Sequence, residues 1–119
     1  MPDDVQKVVL LPRFTAFSGA RTHLGTPMGV RAFGTATIML WTGVGTGTSP
    51  VFELQLQHSH DLTLWEVLDT LTPTPGTELV VGVGFSREWL RLAVTLTGTD
   101  PAFTCWCVGN FVRRAPRPS

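Results

Sequence analysis

Trp89-Leu90-Arg91-Leu92-Ala93-Val94-Thr95-Leu96-Thr97 is the stretch that decides the fold. Leu90, Leu92, Val94 and Leu96 share one parity, and Arg91, Thr95 and Thr97 share the other. Side chains of an extended backbone point alternately to opposite sides. A period of two sustained this long therefore predicts a strand with one buried and one wet face. Gly98-Thr99-Asp100-Pro101 follows with turn chemistry, and Phe103 to Val112 is expected to return as the partner strand.

Working outward, the same pattern recurs. Val51 to His58 sets Phe52, Leu54 and Leu56 inward and Glu53, Gln55 and Gln57 outward. Phe33 to Trp41 sets Ala36, Ile38 and Leu40 against Thr35 and Thr37. Trp65-Glu66-Val67-Leu68 and Leu79 to Val83 add two more strands, the second weakened by Gly82 and Gly84. Between them lie a flexible loop from Gly43 to Pro50, a turn on Ser59-His60-Asp61 and a loop from Thr72 to Gly76. This spacing predicts an all-β chain: a single antiparallel β-sandwich or jelly roll of six to eight strands.

The expected organisation has three parts: an extended N-terminal arm over 1–32, the β-sandwich domain over 33–112, and a basic tail over 113–119. In the arm, Val8-Val9-Leu10-Leu11 reads as a short strand that Pro12 cuts off. Phe14 to Arg31 carries Gly19, Gly25, Pro27 and Gly29 without a sustained period, so it is expected to be disordered alone or ordered by a partner. Its Phe14, Phe17, Leu24 and Met28 favour docking over free solvation.

The 119 residues suit one domain with a real core. Hydrophobic residues at 43% and charged residues at 15% exclude a disordered polyelectrolyte. A formal net charge of zero argues against a nucleic-acid partner held by phosphate neutralisation. No run of 18 apolar residues is present, so no membrane span is expected, and the acidic start Met1-Pro2-Asp3-Asp4 lacks the positive beginning of a signal peptide. The chain is expected to be made in a cytoplasm and kept there or released by lysis. Eight Arg stand against the single Lys7, a ratio that suits planar interface contacts and that a biased base composition also produces.

Candidate chemistry is sparse. His58-Ser59-His60-Asp61 offers two imidazoles and a carboxylate, but the only further histidine, His23, lies far off in the arm. A polar turn with Asp61 capping backbone N–H groups accounts for the cluster, and no metal or other cofactor is expected. Gly43-Val44-Gly45-Thr46-Gly47-Thr48 matches phosphate loops only in glycine content, because a strand rather than a helix follows. Contiguous Ser59, His58 or His60, and Asp61 do not make a triad, whose members converge from separate elements. Glu53, Glu66, Glu78 and Glu88 fall on outward or loop positions, where burial does not raise a carboxyl pKa. No catalytic residue is assigned, and the chain is expected not to be an enzyme. Cys105 and Cys107, two apart on one strand face, have Cα atoms roughly 6.5–7 Å apart with parallel side chains, so reduced buried thiols are expected.

Trp65 and Trp89 are expected to plug the ends of the sandwich. Trp106 differs, because its parity opposes Phe103, Cys105 and Cys107 and matches Val108 and Val112. Both faces of the last strand are then apolar, which points to cover by the arm or by a neighbouring subunit.

Phe52 to Asp61, Trp65 to Leu68, Trp89 to Thr95 and Gly98 to Thr104 together resemble the small β-sandwich decoration or cement proteins of tailed-phage capsids. There a Q-x-S-x-D…W hairpin precedes an (aromatic)-L-R-L-x-V-T…G-T-x-P strand pair. The similarity spans 51–112, rests on structural residues, and leaves the Gly/Pro-rich segment 12–32 without a counterpart. Glycan-binding discoidin-like jelly rolls share the hairpin. The resemblance implies a structural virion protein on the capsid surface, assembled in the host cytoplasm. It would be a homotrimer bridging subunits of the major capsid protein. Arg13, Arg21, Arg31, Arg113 and Arg114 would then make polar contacts to the shell, and Phe14, Phe17, Leu24, Met28, Trp106 and Val108 apolar ones. The alternative is a carbohydrate-binding or receptor-facing module of a particle or tail, which needs two aromatics exposed on one face.

Overall fold

The computed structural model describes residues 5–114, which form eight strands and, among the described residues, no helix. These are β1 (Val5–Ser18), β2 (Thr22–Leu24), β3 (Met28–Gly29), β4 (Phe33–Thr42), β5 (Thr46–Ser59), β6 (Glu66–Leu71), β7 (Glu78–Gly84) and β8 (Trp89–Arg113). Every pairing is antiparallel. The all-β antiparallel sandwich expected from the alternation is what forms.

The stretch that announced the fold behaves differently from expectation. Trp89–Thr97 and Phe103–Val112 do not pair as a hairpin; they are two halves of one 25-residue strand. The first half lies between β5 on one side and β2 and β3 on the other. The second lies between β1 and β4. Gly98 (φ 115°) and Asp100 (φ 49°) bend the strand between its halves instead of reversing it. The neighbouring strand bends with it, through register shifts between Thr46↔Ala102, Thr48↔Thr99 and Val51↔Thr97. Gly43–Pro50 is accordingly not all loop, because its second half enters β5. Strand β8 thus feeds two layers, β1-β8-β4-β7 and β2/β3-β8-β5-β6, which face each other across the core.

The arm is the second correction. Residues 5–18 pair along the outer half of β8, from Val5↔Val112 to Ser18↔Ala102, and β2 and β3 pair with the inner half. Pro12 does not end the strand, because it falls in a register shift between Leu11↔Cys107 and Thr15↔Cys105, where no ladder N–H is required of it. Val8, Leu10, Leu11, Phe17 and Met28 pack against the core, so this chain's own body supplies the order expected of a partner.

The core follows parity. Ala36, Ile38 and Leu40 of β4, Phe52, Leu54 and Leu56 of β5, and Leu90, Leu92, Val94, Leu96, Phe103, Cys105, Cys107 and Phe111 of β8 are buried. Phe111 stacks on Phe85 at 5.5 Å and meets Phe33 edge-on at 5.3 Å. Gly109 leaves room for this cluster, since a Cβ there would sit 3.0 Å from Ile38 Cδ1 and closer still to the Phe111 ring.

Candidate functional site

Opposite the core, the β1-β8-β4-β7 layer presents an outer face whose composition is unusual for a wet surface. Register aligns its side chains in rows across the strands. Glu78, Trp41 and Trp106 form one row across β7, β4 and β8. Val80, Met39, Val108 and Val9 form the next across β7, β4, β8 and β1. Gly82, Thr37, Asn110 and Lys7 form a polar third row. The second row is therefore apolar across the full width of the layer, with Val80 at 53% and Val9 at 58% exposure, and the first sets a tryptophan pair beside Glu78.

At the β1 end of the first row, Pro12-Arg13-Phe14 bulge out of the ladder. The Thr15 hydroxyl donates to the Pro12 carbonyl at 2.6 Å and closes the bulge. Arg13 sets its guanidinium over the Trp106 ring, 5.7 Å from the centroid. Phe14 stands at φ 65° with its side chain 86% exposed. A bulky residue in the left-handed region is strained, and strain of this kind persists where the surrounding structure imposes it. The bulge, Trp41, Trp106, Thr104 and Glu78 enclose a hollow of about 360 Å³. A second hollow of about 430 Å³ continues it over Met39, Val108, Val9 and Lys7.

Four residues expected at an interface meet here: Arg13, Phe14, Trp106 and Val108. The others lie elsewhere. Phe17 packs its ring 5.1 Å from His23 and, with Met28, covers the core; Leu24 is exposed on β2. Arg21 and Arg31 are exposed away from the groove. The Arg113 guanidinium lies over Phe33 and donates to Gln6 Oε1 at 3.3 Å. Arg114 donates to the backbone carbonyls of Arg31 and Phe85, at 3.2 and 2.8 Å, and so ties the chain to itself. The rest of the basic tail, 115–119, lies outside the described residues.

Sequence reasoning missed Trp41, Met39, Val9, Val80 and Glu78. For Trp41 and Met39 the signal was present: their parity matches Thr35 and Thr37, the wet side of β4. None of the four tryptophans enters the core. Trp65, expected to plug an end, instead lies under the Arg91 guanidinium at 4.2 Å and donates its indole N–H to the Leu62 carbonyl at 3.2 Å. Trp89 is half-buried beside Gly29 and Ser59.

The polar cluster is a turn. The Ser59 hydroxyl donates to Asp61 Oδ1 at 3.0 Å, and that oxygen also accepts the Thr63 and Leu64 N–H groups at 2.9 and 3.0 Å. The Leu64 and Thr63 amides and the Ser59 hydroxyl hold the Asp61 carboxyl below its usual value. His58 is buried and His60 exposed, and no group of three metal-ligating side chains occurs among the described residues. Burial lowers the His58 pKa, with the Arg87 charge acting in the same direction. Both cysteines are free and buried, and desolvation pushes their thiols up to about 11 for Cys105 and about 12 for Cys107. The nucleophilic thiolate is therefore suppressed.

Fold and face together define an antiparallel jelly-roll-type sandwich with an aromatic groove on one outer layer. No family model and no curated protein matches the sequence. Among solved structures, that of the infectious bursal disease virus Gt strain superposes with a TM-score of 0.57 at 10% identity, covering 96% of this chain and 33% of that one. The VP2 subviral particle of the same virus gives 0.58 at 9% identity, over 92% and 32%. The chain thus spans about a third of the length of these viral chains. A subunit of Bacillus endospore appendages, which form disulfide-linked pili, gives 0.53 at 15% identity over 92% of both chains. At these identities the likeness is one of fold.

Proposed function

We propose that this protein is a non-enzymatic structural component of a virion-type particle. It would decorate and stabilise an icosahedral shell by bridging neighbouring subunits of the major capsid protein. The observation that carries this is the aromatic groove: one apolar row across the layer, two half-buried tryptophans beside it and a strained, outward Phe14, all on one outer face. Leaving such a surface in water is unfavourable, and contiguous exposed apolar patches mark interaction sites. Half-buried Trp and Arg are the side chains that dominate interface energetics. The fold likeness to a virus particle protein and to a pilus subunit fits an assembly role. An inter-subunit disulfide of the kind named for those pili is not available to Cys105 and Cys107, which face the core.

The test is density-gradient separation of particles from infected cells. The chain is expected in the particle band, and Trp41→Ala with Trp106→Ala is expected to lower its occupancy about tenfold or more. A chain that stays with free protein, or a double variant with undiminished occupancy, rejects the reading.

One observation favours carbohydrate binding as a second reading. Trp41 and Trp106 stand side by side with Glu78 and Arg13 at the rim, the pair of aromatics on one face that sugar stacking requires. A glycan array with hits that the same double substitution abolishes would favour it over shell docking.

A further inference from the structure

We propose that β7 joins two copies of this chain edge to edge, antiparallel about a twofold axis, so that the β1-β8-β4-β7 layers become one eight-stranded sheet. This goes beyond the docking role above: it uses the main-chain edge of β7, whereas the groove uses outward side chains of the layer, those of Glu78 and Val80 among them.

The two layers have four outer edges, and three carry the features that keep sheet edges from pairing: charge, proline, bulges or brevity. Strand β1 has Lys7 and Pro12 and two register shifts. Strands β2 and β3 are three and two residues long. Strand β6 carries Glu66 and Asp69 and pairs through a register shift. Strand β7 carries a single charge, Glu78, at its first position; the following Leu79-Val80-Val81-Gly82-Val83-Gly84 has neither charge nor proline, and the ladder to β4 runs unshifted from Trp41↔Glu78 to Thr35↔Gly84. Among the described residues its far side has no main-chain partner. The core is also unfinished there, because the inward Leu79 and Val81 are only partly buried.

The strand is complementary to itself. In an antiparallel pair centred on Val81, Leu79 faces Val83, Val80 faces Gly82, and Glu78 faces Gly84. No like charges oppose each other, and inward residues stay inward. A symmetric pair of this kind closes on itself, as twofold interfaces do.

The experiment uses Val80→Cys and Gly82→Cys, each made in the full chain. Val80 is exposed, and a Cβ at Gly82 meets nothing within 4 Å, so neither change disturbs the fold. The native thiols are buried and give a silent background. Mixed under mild oxidation, the two variants are expected to form a disulfide-linked dimer containing one copy of each. Either variant alone is expected to cross-link poorly, because equivalent positions then lie about 8 Å apart, beyond disulfide reach. Sedimentation of the unsubstituted chain is expected to show a reversible monomer–dimer equilibrium. Absence of the mixed cross-link, equal cross-linking in all three samples, a threefold assembly, or a monomer at every concentration overturns the proposal.

Discussion

Phe14 shows how much a single residue can carry. Its φ of 65° is a conformation glycine adopts freely and phenylalanine resists, and its 86% exposure means that little folding energy is recovered by burial. Phe14→Gly is therefore expected to stabilise the isolated chain by about 1 kcal/mol, read from the urea midpoint. The same variant is expected to weaken attachment to particles. A loss of stability on substitution would mean that the strain is compensated by contacts of the ring. In sequence Pro12 reads as the end of a strand, and neither the bulge, the left-handed backbone at position 14 nor Arg13 lying over Trp106 is visible there. All three depend on β1 having a strand beside it to bulge from.

Among the elements, β8 is the decisive one, and its central bend is testable. A Cβ at Gly98 would sit 2.6 Å from the Ser49 carbonyl oxygen and 2.8 Å from that of Thr48, at a φ of 115° that side chains resist. Gly98→Ala is expected to cost about 3 kcal/mol, measured by chemical denaturation. A much smaller loss would show that the two layers do not depend on that close approach. Alternation in 89–97 and 103–112 was legible, as was each strand's buried face. Whether Gly98 to Pro101 reverses the chain or merely bends it was not. The same residues serve a turn and a bulge, and the choice is made by Thr48 and Ser49, half the chain away.

Across the whole molecule, the His58 seam links β5, β6 and β8, since His58 aligns with Glu66 and with Leu90. Its folded pKa lies below the ordinary 6.5, so the unfolded chain takes up the proton more readily. The neutral seam contributes fully above that ordinary value, and its contribution is lost as pH falls through the lower folded value. The urea midpoint is expected to drop from about pH 7.5 to about pH 5, and His58→Gln is expected to flatten that slope. An unchanged slope in the variant would place the titrating group elsewhere. Asp61, whose folded pKa is also depressed, acts in a separate window below its ordinary 3.8.

By itself, the sequence determined the strands between residues 33 and 112 and the buried side of β4, β5 and β8; before residue 33 it showed only Val8–Leu11. Alternation is a local steric property of extended backbone, and it needs no knowledge of neighbours. Only the tertiary structure decided which strands lie side by side, because pairing is settled by competition among entire inner faces and by the closure of long loops. That choice covered Phe17 and Met28 with this chain's own body, and it gathered Trp41, Met39, Val80 and Val9 around Trp106 into a surface no single strand displays.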